Sequence, residues 1–396
     1  MFHKRICKRL KKTAFASVMA TALTVTSVCT DGFGVAVHEM VKTEAATDDL
    51  FTIKDGVLTS YDHGKLGKDV VIPDGVTKIG ESVFDNEYNI ETVTIPDSVK
   101  EIGSQAFEQC KKLKTVKFGS GLESIDFRAF EGCTSLNNIQ FPKGLTSIGM
   151  NAFLGCSALE SIDFPTSVTS IEGNAFRDTP WLEAQIANSP DHLVRVNDIL
   201  LDGTKAVGSV TIPSGVHTIA ERAFQGSEMT QVTIPDTVTY IGSMAFQLTG
   251  LISINIPDSV TYIGDYAFQL NNKLKTVKIG NGVTELEYAM FYQCTKLEEV
   301  ILPDSLMVIK SGVFNECTYL HSINMPKNLR EIADMAFYQC VSLEEMILPE
   351  GLEKIGKEAF SYCTNLTSLT VPPSVNKIDG ALYEQCPRLT IKGIKG

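Results

Sequence analysis

The chain has little of what most catalytic or nucleic-acid-binding proteins carry. There is one tryptophan, Trp181, in 396 residues, and there are six histidines. The histidines beyond the first 45 residues, His63, His192, His217 and His321, stand far apart and form no HExxH or other metal-ligand spacing. No CxxC pair, phosphate-binding glycine loop or G-x-S-x-G elbow occurs. No pair of carboxylates is set apart from the general acidity. Zinc sites, nucleotide hydrolysis and serine-hydrolase chemistry are thereby excluded, and a hydrolase lacks any clustered acid or nucleophile to work with.

Basic residues are scarce as well. After residue 45 the chain holds 28 Lys and Arg against 44 Asp and Glu, so its body is more acidic than the formal net charge of −12 indicates. Such a body repels the phosphates of nucleic acids and anionic membranes, and no compensating basic run appears. No cofactor and no nucleic-acid partner is expected. At 21% charged and 43% hydrophobic residues, the composition belongs to neither a disordered nor a membrane-embedded chain.

The N-terminus reads as an export signal. A basic stretch, Lys4 to Lys12, precedes an uncharged run from Thr13 to Val28 that is too short and too rich in Thr and Ser for a membrane span. Residues 1–45 are assigned to this signal and its processing region, with small residues suited to cleavage ending at Ala36 or at Ala45. Cys29 fits a lipidation site poorly, because Thr26 and Val28 precede it. The mature chain is expected to be secreted or held at the cell surface, without a membrane span.

What the chain does have is one phrase written about thirteen times. A phenylalanine marks it at Phe84, Phe107, Phe130, Phe153, Phe176, Phe224, Phe246, Phe268, Phe291, Phe314, Phe337 and Phe360, with Tyr383 closing the series. The steps are 22 or 23 residues apart from one of 48, and a second marker, the proline of Pro73, Pro96, Pro142 and their successors, keeps the same rhythm. Gly119 and Gly280 fill two of the proline slots. Within a unit, Leu113 to Phe118 alternates apolar and polar residues like a short half-buried strand, which the proline or glycine then ends. Ala106, Phe107, Cys110 and Leu113 follow the i, i+1, i+4, i+7 spacing of one face of a helical turn. A unit this small cannot enclose a core, so it must stack on its neighbours, with its strands in a parallel sheet.

The pattern of Leu113, Val116, Phe118, Leu122, Ile125, Phe130, Cys133 and Leu136 resembles a leucine-rich repeat. In its 23-residue form, IPxSVxxIGxxAFxxCxxL, it resembles the BspA-like subfamily of bacterial surface proteins over Phe51 to about Leu389. The expected fold is therefore an α/β solenoid: a parallel β-sheet on one face, short helical turns on the other, a hairpin cap at the N-terminus and one inserted hairpin. Residues 46–72 form the cap, 73–176 a first block of repeats, 177–212 the insertion and 213–396 a second block. The insertion repeats the cap's wording, "LVRVNDILLDG" after "LFTIKDGVLTS", and the array is read as continuous through it with a bend.

Eight cysteines, Cys110, Cys133, Cys156, Cys294, Cys317, Cys340, Cys363 and Cys386, share one slot of the repeat with Glu87, Thr179, Ser227, Thr249 and Asn271. A nucleophile or ligand would not tolerate that mixture, whereas a small semi-buried position beside backbone polar groups would. Disulfides along the ladder are disfavoured, because neighbouring Cβ vectors run parallel and the runs of three and five each leave one thiol over. The cysteines are read as a structural ladder.

Function then falls to the solvent-facing positions. Along the strands these are mostly short polar residues, interrupted by Ile301 and Ile347 two units apart. Glu298, Glu299, Glu344 and Glu345 flank the isoleucines, with His321 and Asn324 on the unit between, and the set is read as a candidate contact site. Tyr240 and Tyr262 occupy equivalent positions in adjacent units and are a second candidate, since tyrosine suits protein and sugar surfaces alike. The reading is an exported, non-enzymatic binding protein with a protein or glycan ligand. Its alternative is a structural or self-assembling component of the cell envelope. The family resemblance implies adhesion to host glycoproteins, such as those of the extracellular matrix, or to other bacteria.

Overall fold

The computed structural model describes residues 50–393, which fall within one compact unit. The export signal expected over 1–45, with Cys7 and Cys29, lies outside the described residues.

Because every unit has almost the same length, many backbone polar groups find a partner one unit away, and they do so on three sides of the coil. On the first side, three-residue strands such as Thr92–Thr94 and Thr115–Lys117 pair in parallel, Val93 opposite Val116. Proline ends the strand, and its carbonyl closes a tight turn by accepting from the Val99 amide at 3.2 Å. Where glycine replaces the proline the units approach more closely: a Cβ added at Gly119 would lie 2.2 Å from the Pro96 carbonyl oxygen. On the second side, two-residue strands such as Glu101–Ile102 and Ser124–Ile125 pair in the same way.

The third side departs from the expected helical turns. Among the described residues the one helix is Pro180–Asn188, and every phenylalanine segment is instead a pair of turns. Gln105 and Gln109 take left-handed backbone angles, φ 59° and 57°, on either side of Phe107. Amides then alternate: those of Gln105, Phe107 and Gln109 donate to Phe127, Ala129 and Glu131 of the next unit, while those of Ala106, Glu108 and Cys110 donate locally. A run of five or six residues cannot carry the cost of nucleating a helix, and here the neighbouring unit offers the amides a partner at once.

The core is a column. Phe84, Phe107, Phe130, Phe153 and Phe176 stack face to face with centroids 5.0 to 5.4 Å apart, and Phe224 to Phe360 repeat the arrangement. Tyr61 continues the first column at its N-terminal end, 4.9 Å from Phe84, with its hydroxyl donating to Glu87. Phe118, Phe141 and Phe164 pack edge-on or tilted against the column from the strand side.

Beside the column runs the cysteine ladder, fully buried rather than half-buried except at its last member, Cys386. Each thiol donates to the carbonyl of the phenylalanine one unit back, Cys110 to Phe84 at 3.1 Å and Cys340 to Phe314 at 3.1 Å. Two other occupants of the slot satisfy the same kind of acceptor: Thr179 donates to Phe176, and Asn271 to both Phe246 and Phe268. Burial pushes the Cys110, Cys156 and Cys294 thiols up to about 12, and those of Cys133, Cys317 and Cys340 well above the usual thiol range. These groups stay protonated near neutral pH and supply no thiolate.

At the insertion both strand ladders stop and restart. Thr179, still in the cysteine slot, caps the helix Pro180–Asn188 by accepting from the Leu182 amide, and Pro180 sits in its first turn. Trp181 closes the first aromatic column against Phe176 and Phe164. An antiparallel hairpin, Val194–Val196 with Ile199–Asp202, then starts the next ladder by pairing in parallel with Thr218–Ile219. The N-terminal hairpin, Phe51–Lys54 with Val57–Tyr61, starts the first ladder by pairing with Lys78–Ile79 in the same manner. Asn197 ties the second hairpin back to the preceding unit through the Pro165 and Val168 carbonyls.

Two outcomes follow from this packing. Phe337→Ala opens a hole in the middle of a column and should lower the unfolding free energy by ~3–5 kcal/mol, read from the urea midpoint. In a Cys7→Ser/Cys29→Ser background at pH 8, Cys110 to Cys363 should resist a thiol-specific disulfide reagent in the folded chain. All should react in denaturant; rapid native-state modification of the ladder would show that these thiols are exposed in solution.

Candidate functional site

On the first strand side, alternation turns one residue in and two out. Val277 and Val300 are buried, while Thr276, Lys278, Glu299 and Ile301 face solvent. Ile301 and Ile347 are both exposed, at 45% and 71%. They do not share a sheet: Ile301 pairs with Lys278 in the strand Glu299–Ile301, and Ile347 with Thr370 in Glu345–Ile347. The unit between them explains the break. Asn324 turns its side chain onto the Leu302 backbone, accepting from its amide at 2.7 Å and donating to its carbonyl at 2.9 Å. Elsewhere the strand residue's own carbonyl takes that place, as Ile301 does for Ile279. The Asn324 amide is therefore spent within the sheet.

Of the flanking groups, Glu298 is paired with Lys275 at 3.0 Å, and the His321 ring nitrogen lies 3.0 Å from the Tyr319 carbonyl. Glu299 and Glu345 begin their strands on the outward column, and Glu344 accepts from the Thr367 hydroxyl and amide through its backbone carbonyl. Ile301 borders a shallow hollow of about 400 Å³ with Lys278, Asn255 and Ser253, two units toward the N-terminus. The repeat already places Asn255, Lys278 and Ile301 at one outward position of successive units, and the strand pairing bears this out; sequence reasoning missed only the hollow beside them.

Tyr240 and Tyr262 lie in the other strand series, in Tyr240–Ile241 and Tyr262–Ile263. They are direct cross-strand partners, and their rings stack at 5.0 Å and 16°. Both are partly exposed, at 42% and 38%. Burial, then the neighbouring Tyr262, Glu221 and Glu172, push the Tyr240 phenol above its usual range; burial, then Glu287 and Asp265, do the same to Tyr262. Tyr266 and Tyr288 make an edge-on contact of 5.2 Å one and two units further on. The two candidate sets thus occupy different sheets of the coil.

Among the described residues no group of three His, Cys, Asp or Glu could hold a metal ion, and no helix is long and apolar enough to cross a membrane. These surfaces offer apolar contact at isolated isoleucines and tyrosines, and negative charge at the carboxylates.

The chain is similar to several bacterial leucine-rich repeat proteins of known structure. A leucine-rich repeat protein from Bacteroides ovatus is 24% identical, with 89% of this chain and 100% of that chain covered and a TM-score of 0.45. One from Eubacterium ventriosum is 25% identical, with 83% and 90% covered and a TM-score of 0.49. A leucine rich cell surface protein from Faecalibacterium prausnitzii is 28% identical, with 89% and 94% covered and a TM-score of 0.38. No curated protein matches. The model of the BspA type leucine rich repeat region matches residues 61–183, 194–306 and 284–394, most of the chain. The chain therefore belongs to the BspA-type leucine-rich repeat family.

Proposed function

We propose that the protein is an exported, non-catalytic binding protein of the cell surface that recognises a macromolecule, a protein or glycan of a host or of another cell, through the outward residues of its coil. One observation carries the reading. The inward positions of every unit are held to a narrow set of residues, whereas the outward strand positions change from unit to unit and include Ile301 and Ile347, exposed where their neighbours are polar. Exposed apolar side chains rimmed by polar groups are what the centre of an interface uses. The flanking Glu298, Glu299, Glu344 and Glu345 give that contact an acidic rim. Several adjacent units supply the roughly 800 Å² per partner that a specific interface needs.

The test is a binding screen of the full chain against extracellular-matrix proteins and a glycan array, with Ile301→Asp/Ile347→Asp run beside it and its fold checked by circular dichroism. A saturable ligand whose affinity falls about tenfold or more in the double variant places the contact on the isoleucines. A ligand indifferent to the substitution moves it to another face. Absence of any ligand at micromolar concentration, together with self-association in sedimentation, would favour an envelope component instead.

A further inference from the structure

The interruption of the coil leaves a gap that no regular unit has. On the second strand side the ladder ends at Ser170–Ile171, and the next begins with the hairpin strand Ile199–Asp202 and carries Thr218–Ile219 and Tyr240–Ile241. Between them lies a cavity of about 370 Å³, walled by Ser170, Glu172, Thr218, Glu221, Tyr240 and Ser243 among others, with no lysine or arginine in its lining.

Tyr240 gives the cavity its shape. One face of its ring is covered by Tyr262 on the following unit. Its cross-strand partner on the preceding unit is Thr218, whose short side chain cannot cover the other. The two-ring stack therefore ends at the cavity in an open aromatic face, where a third planar group would continue the column.

The electrostatics specify what that group is. Glu172 approaches from the last unit of the first ladder; one of its oxygens accepts from the Met150 amide at 3.0 Å. Glu221 approaches from the first unit of the second; one of its oxygens lies 3.2 Å from the Arg222 Nε. It reaches across the junction, since a Cβ placed on Gly173 would stand 2.8 Å from its carboxyl carbon. Each carboxylate keeps a second oxygen, and both sense Tyr240, whose phenol they hold above its usual range after burial and Tyr262 have done so. Two carboxylates against one cation leave the site net negative. A neutral sugar would lie on the ring but leave that charge unanswered, and a lysine ammonium can sit over a ring, as Lys296 does over Tyr319, but has no planar group to stack flat or to give parallel hydrogen bonds to a carboxylate. A guanidinium does both, being planar, always charged, able to stack on an aromatic ring and to give parallel hydrogen bonds to a carboxylate.

We propose that this cleft is a recognition slot for an arginine side chain of a partner protein, with the guanidinium over the free face of Tyr240 and its N–H groups directed to Glu172 and Glu221. The proposal rests on the binding role above and names the chemistry of one partner residue; it uses a different sheet from the isoleucines, so the two can fail separately.

The probes are the blocked tripeptides acetyl-Gly-Arg-Gly-amide, its lysine counterpart and its citrulline counterpart, titrated into the full chain by NMR, with a neutral oligosaccharide panel as competitor. The arginine peptide should bind more tightly than the lysine peptide, and citrulline, planar but uncharged, should bind at least tenfold more weakly. Tyr240→Leu should weaken the arginine peptide about tenfold, the loss of a desolvated cation–π contact. Glu172→Gln, which keeps the acceptor for Met150, should weaken it and flatten its salt dependence. Equal binding of arginine and citrulline, indifference to Tyr240→Leu in a variant with unchanged thermal melting, or displacement by a neutral oligosaccharide would each overturn the slot. A matrix protein that binds and is lost only in the isoleucine variant would leave the binding role standing without the slot. An arginine peptide that binds when no macromolecule does would leave the slot standing without that role.

Discussion

Everything in this molecule hangs on the match between chain length per unit and the repeat of a hydrogen-bonded ladder. Neighbouring backbones in a parallel ladder lie ~4.8 Å apart, and the phenylalanine rings that follow them stack at 5.0 to 5.6 Å. The ladder sets the spacing and the aromatic column fills it. Because three sides of each turn bond to the next, a unit that lost or gained a residue would misplace one ladder relative to the other two. The steps of 22 and 23 residues show how little slack is tolerated. The 48-residue step is no exception to that rule, since it holds the elements needed to end one ladder and begin another: a capped helix, a tryptophan across the column end, and a hairpin.

The cysteine slot shows the same constraint acting on side chains. The phenylalanine carbonyl already accepts the amide three residues on, as Phe84 does from Glu87, and its second lone pair points into the core toward the following unit. A buried acceptor left short of partners costs free energy, and a small donor at that place removes the cost. Cysteine serves because its thiol is a weak donor on an otherwise apolar side chain. Threonine and asparagine serve where the packing differs. Ser227, in the same slot, makes no hydrogen bond from its hydroxyl, so the position tolerates an unsatisfied member of its set.

Much of the fold was legible because inward positions repeat their residue types and repetition reveals phase. Phe107, Cys110 and Leu113 could be assigned to the core without knowing the backbone between them. That backbone was misread for the same reason. The spacing i, i+1, i+4, i+7 belongs to a helical face, but also to two successive left-handed turns around a buried phenylalanine, and only the destinations of the amides of Gln105, Phe107 and Gln109 distinguish the two. The surface was less legible, since rows on it are made by register. Tyr240 and Tyr262 could be paired from their equivalent positions. The row of Asn255, Lys278 and Ile301 could be read in the same way, whereas the hollow beside it and the break at Asn324 depend on which strand bonds to which.

A regular solenoid has a difficulty as a receptor: its faces are nearly flat, since each outward side chain stands beside a copy of its own position. Flat surfaces bind large partners by area, but give a single side chain nowhere to be enclosed. Depth requires breaking the repeat. In this chain the largest departure from the repeat is the insertion, where both ladders stop, where Trp181, Asn197 and the hairpin bridge the junction, and where the cavity beside Tyr240 opens. The element that costs the array its regularity is thus also the one that supplies a concave, charged and partly aromatic site. An array assembled from identical units throughout would be as stable and would have no such place.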